Sequence, residues 1–320
     1  MTSISYGTGE YTYKLVDGWA KCPEGRVFND VAGLCVDSQD RVYILNRSAR
    51  PVPVMVFDRE GNLLSSWGEG FFRHPHGICI GPDGSVYCTD DELHVVLKFS
   101  PRGELLMTLG KKGHPSDSGY VPEWFDYFWS LSTISRGAPP FNRPTGVSLS
   151  PSGGIYISDG YGNARIHKFS PRGKLLLSWG EPGSDPGQFR VPHGIWVDKQ
   201  ENVWVADREN NRIQIFDAQG KFLNQWGNLI RPNSIWIDDD GTVYVSELCL
   251  RISIFTNDGK LLTRLVNQSG DKESALFVVP HTIAVDSQGD IYVGEVAMTY
   301  AKVDRGSRTV IKFARRTHAI

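Results

Sequence analysis

The sequence predicts an all-β protein built from six copies of one four-stranded unit, and three observations predict it. The first is a recurring segment: "FDREGNLLSSWG" (Phe57–Gly68), "FSPRGELLMTLG" (Phe99–Gly110), "FSPRGKLLLSWG" (Phe169–Gly180) and "FDAQGKFLNQWG" (Phe216–Gly227), with a weaker copy, "FTNDGKLLTRLV", from Phe255. The second is what precedes it: a run such as "GGIYISD" or "ENVWVAD", and before that a run such as "TGVSLSP" or "HGIWVDK". Each run alternates apolar and polar residues, and Gly, Asp and Asn stand between the runs, which is the pattern of short strands joined by tight turns. The third is the period of about 40 to 47 residues, the range in which propeller blades repeat.

The first strands of the six units start near Val31, Pro75, Pro144, Pro192, Pro232 and Pro280. The sixth unit runs out of chain at "TVIKFARR", after its third strand. Its fourth strand is expected from the N-terminus, where "YTYKLVDGWAKCPEG" resembles "GKLLLSWGEPG". A strand within residues 10–20 thus completes blade 6, closes a six-bladed β-propeller and removes open sheet edges. Residues 1–320 read as a single propeller domain. A sandwich would not need sixfold self-similarity, and a solenoid would not need its N-terminus to finish its last repeat.

Composition agrees with a soluble globular chain: 320 residues, 40% hydrophobic, 22% charged, net charge −2. Such a balance offers no electrostatic attraction for nucleic acid or anionic membrane. "MTSISYGTGEYTYK" lacks a basic stretch followed by an apolar core, so no secretory signal is expected, and no window resembles a membrane span. Five cysteines without metal-like spacing, Cys35 and Cys79 among them as core thiols, suggest a reducing, cytoplasmic setting.

Within this repeat, "HPHGICIG" (from His74), "VPHGIWVD" (from Val191) and "VPHTIAVD" (from Val279) each set a histidine directly after the proline that opens a first strand. Blades 2, 4 and 6 carry His76, His193 and His281, where blades 1, 3 and 5 carry Ala32, Thr145 and Asn233. In a six-bladed ring the innermost strands line the channel, so histidines in alternate blades converge on the axis at one depth. Three imidazoles with a fourth position left for water or substrate is a common catalytic zinc arrangement; another divalent transition metal also suits the set. The competing reading is strand-end histidines bonded to backbone. His94, His114, His167 and His318 read as surface or strand positions.

The turn after each second strand has a recurring acid or amide: Asn46, Asp90, Asp159, Asp207, Glu247 and Glu295. Recurrence argues for a structural role, capping the turn or pairing with Arg165, Arg212 and Arg251. The next positions break the pattern with Arg47, Gly160–Tyr161 and Arg208, and are the better candidates for function. A tyrosine beside a metal cation serves as a general acid or base, because the nearby charge favours phenolate. An arginine there holds a carboxylate or offsets developing negative charge. One connection, residues 113–140 between blades 2 and 3, is stretched and aromatic, with Tyr120, Trp124, Phe125, Tyr127, Phe128 and Trp129. Long loops in compact domains are usually functional or disordered; this one is expected to roof the pocket or to form an oligomer interface.

These segments resemble the NHL-repeat propellers, and within them the lyase domain of peptidylglycine alpha-amidating enzymes. "SDGYGNARIHKFSPRGKLLLSWG", "VPHGIWVD" and "VADRENNRIQIF" carry the resemblance, which spans nearly the whole chain. It implies a catalytic zinc on His76, His193 and His281, an active-site tyrosine at Tyr161, a catalytic arginine at Arg47 and a further pocket arginine at Arg208. It also implies a structural calcium held by the backbone carbonyls of Leu34 and Ile78 and by an aspartate after the third histidine, where this chain has Thr282. The family's cysteine after the tyrosine is Gly162 here, and a propeller without an accompanying monooxygenase domain is expected.

The expected activity is that of a metal-dependent lyase. It breaks a carbon–nitrogen or related carbon–heteroatom bond at a hydroxylated carbon of a small carbinolamide-type substrate. The metal lowers the pKa of the substrate hydroxyl, Tyr161 or a metal-bound hydroxide takes the proton, Arg47 steadies the charge and Arg208 orients a carboxylate. The alternatives are a hydrolase or hydratase on the same three histidines, and a non-enzymatic NHL platform that binds protein.

Overall fold

The computed structural model describes residues 4–23, 27–47, 52–123, 126–267 and 275–316. The chain begins with β1 (Tyr6–Thr8) and β2 (Tyr11–Val16). Blade 1 follows as β3 (Val31–Val36), β4 (Val42–Asn46), β5 (Val54–Phe57) and β6 (Leu63–Trp67). Blade 2 is β7 (Pro75–Ile80), β8 (Val86–Asp90), β9 (Val95–Phe99) and β10 (Leu105–Gly110), and the long connection after it holds α1 (Tyr127–Ser132). Blade 3 is β11 (Pro144–Leu149), β12 (Ile155–Asp159), β13 (Arg165–Phe169) and β14 (Leu175–Trp179). Blade 4 is β15 (Pro192–Val197), β16 (Val203–Asp207), β17 (Arg212–Phe216) and β18 (Phe222–Trp226). Blade 5 is β19 (Pro232–Ile237), β20 (Val243–Glu247), β21 (Arg251–Phe255) and β22 (Leu261–Val266). Blade 6 is β23 (Pro280–Val285), β24 (Ile291–Glu295), the short α2 (Ala297–Ala301) and β25 (Val310–Arg315). The fold is all-β, a six-bladed propeller.

Local sequence explains the hairpins. Asp37, Asp198, Asp217 and Asp238 each turn a carboxylate oxygen back onto the backbone N–H groups two and four residues ahead, at 2.8–3.1 Å. Such Asx turns join the first strand of a blade to the second at Asp37, Asp198 and Asp238, and the third to the fourth at Asp217, without a long loop. Second strands are apolar on both faces and wholly buried, as in "VYILN", whereas fourth strands such as "LLSSW" are partly exposed. Burial of both faces goes with apolar residues at successive positions, as in "VYIL" and "VWVA", rather than simple alternation.

The chain divides into two compact units, residues 1–71 with 234–320, and residues 72–233. In the first unit β2 pairs antiparallel with β25, from Tyr13 opposite Arg315 to Val16 opposite Lys312. This completes blade 6 with the N-terminal strand, and β1 adds a fifth strand beyond it that the repeat does not foreshadow. Tyr13, Phe277, Ile283, Ile291 and Phe313 form one core there. In the second unit the inner strands β7, β11 and β15 lie side by side. Phe141, Tyr87, Val96 and Ile157 fill the space between blades 2 and 3, and Phe189, Phe216 and Ile195 that between blades 3 and 4.

One irregularity positions the site. The pairing of first and second strands slips just after the opening residue: between Pro75 and Ile78, Pro192 and Ile195, and Pro280 and Thr282, as well as in blades 1 and 3. A bulge re-aims the side chain it carries. The bulged residues include His76, His193 and His281. Among the described residues no helix is long and apolar enough to cross a membrane.

Candidate active site

In the unit of residues 72–233, His76 and His193 are buried, with rings 4.8 Å apart centre to centre. Each is oriented by the next blade. His76 Nδ1 lies 2.6 Å from the Thr145 carbonyl oxygen, and His193 Nδ1 lies 2.9 Å from that of Asn233. In the other unit His281 Nδ1 lies 2.9 Å from the Ala32 carbonyl oxygen. Ala32, Thr145 and Asn233 are the residues that hold the histidine position in the blades without one. A carbonyl at Nδ1 fixes that nitrogen as the donor and commits Nε2 to act as ligand, the usual outer support of a metal-bound imidazole. Two more hydroxyls steady the strands: Ser158 donates to the His193 carbonyl at 2.6 Å, and Ser246 to that of His281 at 3.1 Å. His76 and His193 in one unit and His281 in the other thus each present Nε2 as a candidate metal ligand.

Tyr161 joins the pair in its unit. Its hydroxyl lies 2.9 Å from His76 Nε2 and 3.0 Å from His193 Nε2. Gly160 makes this possible, since a Cβ there would stand 2.2 Å from the Pro192 carbonyl oxygen. Arg208 is wholly buried. Its Nε donates to Glu209 at 2.9 Å, Nη1 reaches the Tyr161 hydroxyl and Asn233 Oδ1 at 3.4 Å each, and Nη2 donates to the Tyr127 hydroxyl. Tyr127 opens α1, whose N-cap Asp126 accepts from the Trp129 N–H. The aromatic connection thus contributes a residue to the site; Phe128 and Trp129 stay exposed, and Trp124 and Phe125 lie outside the described residues.

Arg47 follows β4 in the other unit, half-buried, its N–H donating to the Asp30 carbonyl at 2.8 Å. In the same unit Thr282 Oγ1 accepts from the Leu34 N–H at 3.1 Å and contacts the Leu34 carbonyl at 3.5 Å. A hydroxyl brings no negative charge to that carbonyl, whereas calcium sites rely on carboxylates; the surroundings of Leu34 do not fit a calcium ion. Ile78 lies in β7 of the unit of residues 72–233.

The recurring acids are structural. Asp90, Asp159, Asp207 and Glu295 accept from the backbone N–H groups that lead into the first strands, at Arg73 and His74, Asn142, Arg190, and Val278 and Val279. Burial raises the carboxyls of Asp90, Asp207 and Glu295 above the ordinary range, Asp207 to about 6. Arg212 and Arg251 pair with Asp207 and Glu247 at 2.8 and 2.7 Å. Arg165 departs from the expected pairing: Glu181, on the connection to blade 4, takes its Nη1 at 2.6 Å, while Asp159 is occupied by Asn142, Asn163 and His167.

Sequence reasoning passed over Arg143, the residue before β11. Its guanidinium carbon lies 5.8 Å from the Tyr161 ring centre, and that of Arg208 lies 5.3 Å from it. Arg143 Nη2 donates to Asp91 Oδ2 at 2.9 Å, and the other oxygen of this buried carboxylate contacts His74 Nδ1. The signal was an acid, Asp91, doubled onto the recurring Asp90.

The NHL repeat model matches residues 141–169 and 189–216. The chain is 32% identical to human NHL repeat-containing protein 3 over 319 residues, covering 92% of this chain and 84% of that protein. It is 38% identical to mouse peptidyl-glycine alpha-amidating monooxygenase over 263 residues, 76% of this chain but 24% of that protein. It is 32% identical to peptidyl-alpha-hydroxyglycine alpha-amidating lyase 1 of Drosophila melanogaster over 181 residues, 52% of this chain and 30% of that protein. Among solved structures, a streptogramin B lyase superposes with TM-score 0.59 at 16% identity, covering 97% of this chain and 90% of that one. A gluconolactonase from Xanthomonas campestris superposes with TM-score 0.63 at 11% identity, covering 98% and 95%. Both share the fold.

Proposed function

We propose that this chain, which belongs to the NHL-repeat family of β-propellers, is a metal-dependent lyase acting on a small carbinolamide-type substrate. The observation that carries this reading is the Tyr161 hydroxyl, within 3.0 Å of Nε2 on both His76 and His193. The amidating-lyase relatives support it, though the chain spans only a quarter to a third of their length.

The residues fit a divalent transition metal, with zinc the natural choice. Three neutral imidazoles suit such ions, and a backbone carbonyl faces each Nδ1. When bound, the metal would supply a Lewis acid next to the tyrosine. The protein's own part is proton handling and charge. Tyr161 takes the proton of the carbinol hydroxyl, the carbon–nitrogen bond breaks as the carbonyl forms, and the proton ends on the departing amide nitrogen. One carbinolamide gives one amide and one aldehyde, with no oxidant needed. Arg208, held by Glu209, Tyr127 and Asn233, positions the Tyr161 oxygen and favours its anionic form. Arg47 is assigned to steadying negative charge on the substrate.

The test is to offer a carbinolamide in oxygen-18 water and to follow amide release. Amide appearing without label in an acyl product supports the lyase. Label in an acyl product makes the protein a hydrolase, and no turnover of any carbinolamide by metal-loaded protein overturns the lyase reading.

A further inference from the structure

Three arginines of the unit of residues 72–233 make an internal comparison. Arg212 has a partner at every nitrogen: Nε donates to Asp207 at 2.8 Å, Nη1 to Gln225 at 3.0 Å, and Nη2 to the carbonyls of Asp185 and Gln188 at 3.0 and 2.9 Å. Arg208 is fully buried, and all three of its nitrogens have partners. Arg143 differs. It makes one strong bond, to Asp91, and a 3.4 Å contact from Nη1 to the Tyr120 hydroxyl. Its Nε is buried with no hydrogen-bond partner among the described residues. Its side chain is 28% exposed, although Asp91 beneath it is 0% exposed. An arginine kept only for stability is expected to spend its donors on the protein, as Arg212 does.

The carboxylate that anchors Arg143 does so through one oxygen, because the other is engaged by His74. The fork that guanidinium offers to a carboxylate is therefore only partly used. Burial opposes the charge on Arg143, but Asp91 outweighs it, so the group stays cationic. The left-handed backbone at Arg143 (φ 65°) recurs at Val191 (φ 63°) and Arg231 (φ 48°), each also before the proline of a first strand. The strain thus belongs to the blade frame, while the guanidinium is particular to blade 3.

We propose that Arg143, anchored by Asp91, is a specificity-determining residue that binds an anionic group of the substrate beside Tyr161. The inference rests on Tyr161 lining the reaction site. Anion recognition falls to Arg143 rather than to Arg208, whose fork is closed by Tyr127 and Glu209. Tyr120, from the aromatic connection, contacts Arg143 Nη1 through its hydroxyl at 3.4 Å.

The experiment needs no turnover. Benzoate and benzamide have nearly the same shape and differ in charge. Their binding to the metal-loaded protein is measured by calorimetry, in the wild type and in Arg143→Met and Arg143→Lys. Benzoate is expected to bind at least about tenfold tighter than benzamide, to lose about tenfold or more in Arg143→Met, and to fall between in Arg143→Lys, where charge remains but the fork is gone. Thermal melting shows whether each variant is folded, and Arg143→Lys decides if Arg143→Met is not. Equal affinity for the two ligands, no binding of benzoate, or unchanged benzoate affinity in a folded variant overturns the proposal. So does benzoate binding that survives in Arg143→Met and is lost in His193→Ala, which would put the anion on the histidines. Benzoate held through Arg143 in a protein that turns over no carbinolamide would overturn the lyase reading and leave this one standing.

Discussion

The Tyr161 hydroxyl lies 3.0 Å from Nε2 of His193, on a turn whose Gly160 has no side chain to keep the two strands apart. The acid–base candidate and a metal-ligand candidate are thus set against each other by backbone geometry, from neighbouring blades. Loss of the hydroxyl should remove chemistry without disturbing the ligands. Tyr161→Phe is expected to lower turnover of a carbinolamide by about 10²- to 10⁴-fold, with metal content unchanged. Undiminished turnover would take the proton-transfer role away from Tyr161.

Gly160 is tested by adding one carbon. A Cβ would sit 2.2 Å from the Pro192 carbonyl oxygen, so the turn or the head of β15 must shift. Gly160→Ala should cost about 1–3 kcal/mol of stability and lower activity together with it. Denaturant midpoints give the first quantity. A variant as stable and as active as the wild type would mean that the close approach is unimportant.

Arg208 combines burial with a charge. Removing it leaves Glu209 with Arg231 alone, at 2.7 Å, and leaves the Tyr127 hydroxyl without its guanidinium. Arg208→Met is predicted to lose about 3 kcal/mol and to lower kcat more than it raises KM, because its guanidinium contacts the Tyr127 and Tyr161 hydroxyls and not solvent. A pure KM effect would make it a substrate-binding arginine instead.

Asp207 gives a pH signature. Burial raises its pKa from 3.8 to about 6, against the lowering by Asn210, the Arg190 N–H and Arg212. An acid raised on folding holds its proton in the native state where the unfolded chain has already lost it. Stability is therefore greatest below the unfolded value and falls as pH rises through about 6, by about 3 kcal/mol in all. Asp207→Asn should flatten that fall between 3.8 and about 6. Asp90 and Glu295 are raised in the same sense and remain in both proteins, so the difference between the two curves isolates Asp207. Parallel curves would contradict the assignment.

The blade frame was legible because it is local. Strand alternation and turn residues repeat with the unit, and the six first strands begin where the sequence places them, at Val31, Pro75, Pro144, Pro192, Pro232 and Pro280. The histidines were legible for the same reason, as substitutions at one position of a repeated frame. What the repeat does not encode stayed hidden. β1 has three residues and no copy to match. Arg165 was assigned to the blade acid by analogy with Arg212, but Glu181 reaches it from the connection to blade 4. Tyr127 meets Arg208, and Arg143 meets Asp91, through tertiary contacts of residues far apart in sequence.

The central claim is that His76, His193 and His281 hold one catalytic metal. The direct measurement is metal content per chain in protein purified without added metal and again after exposure to zinc, beside the triple alanine variant of these histidines. The account predicts about one transition-metal ion per chain, absent from a variant that remains folded. No bound metal in the native protein after zinc is offered would contradict it, and would reduce the three histidines to strand ends tied to the carbonyls of Ala32, Thr145 and Asn233.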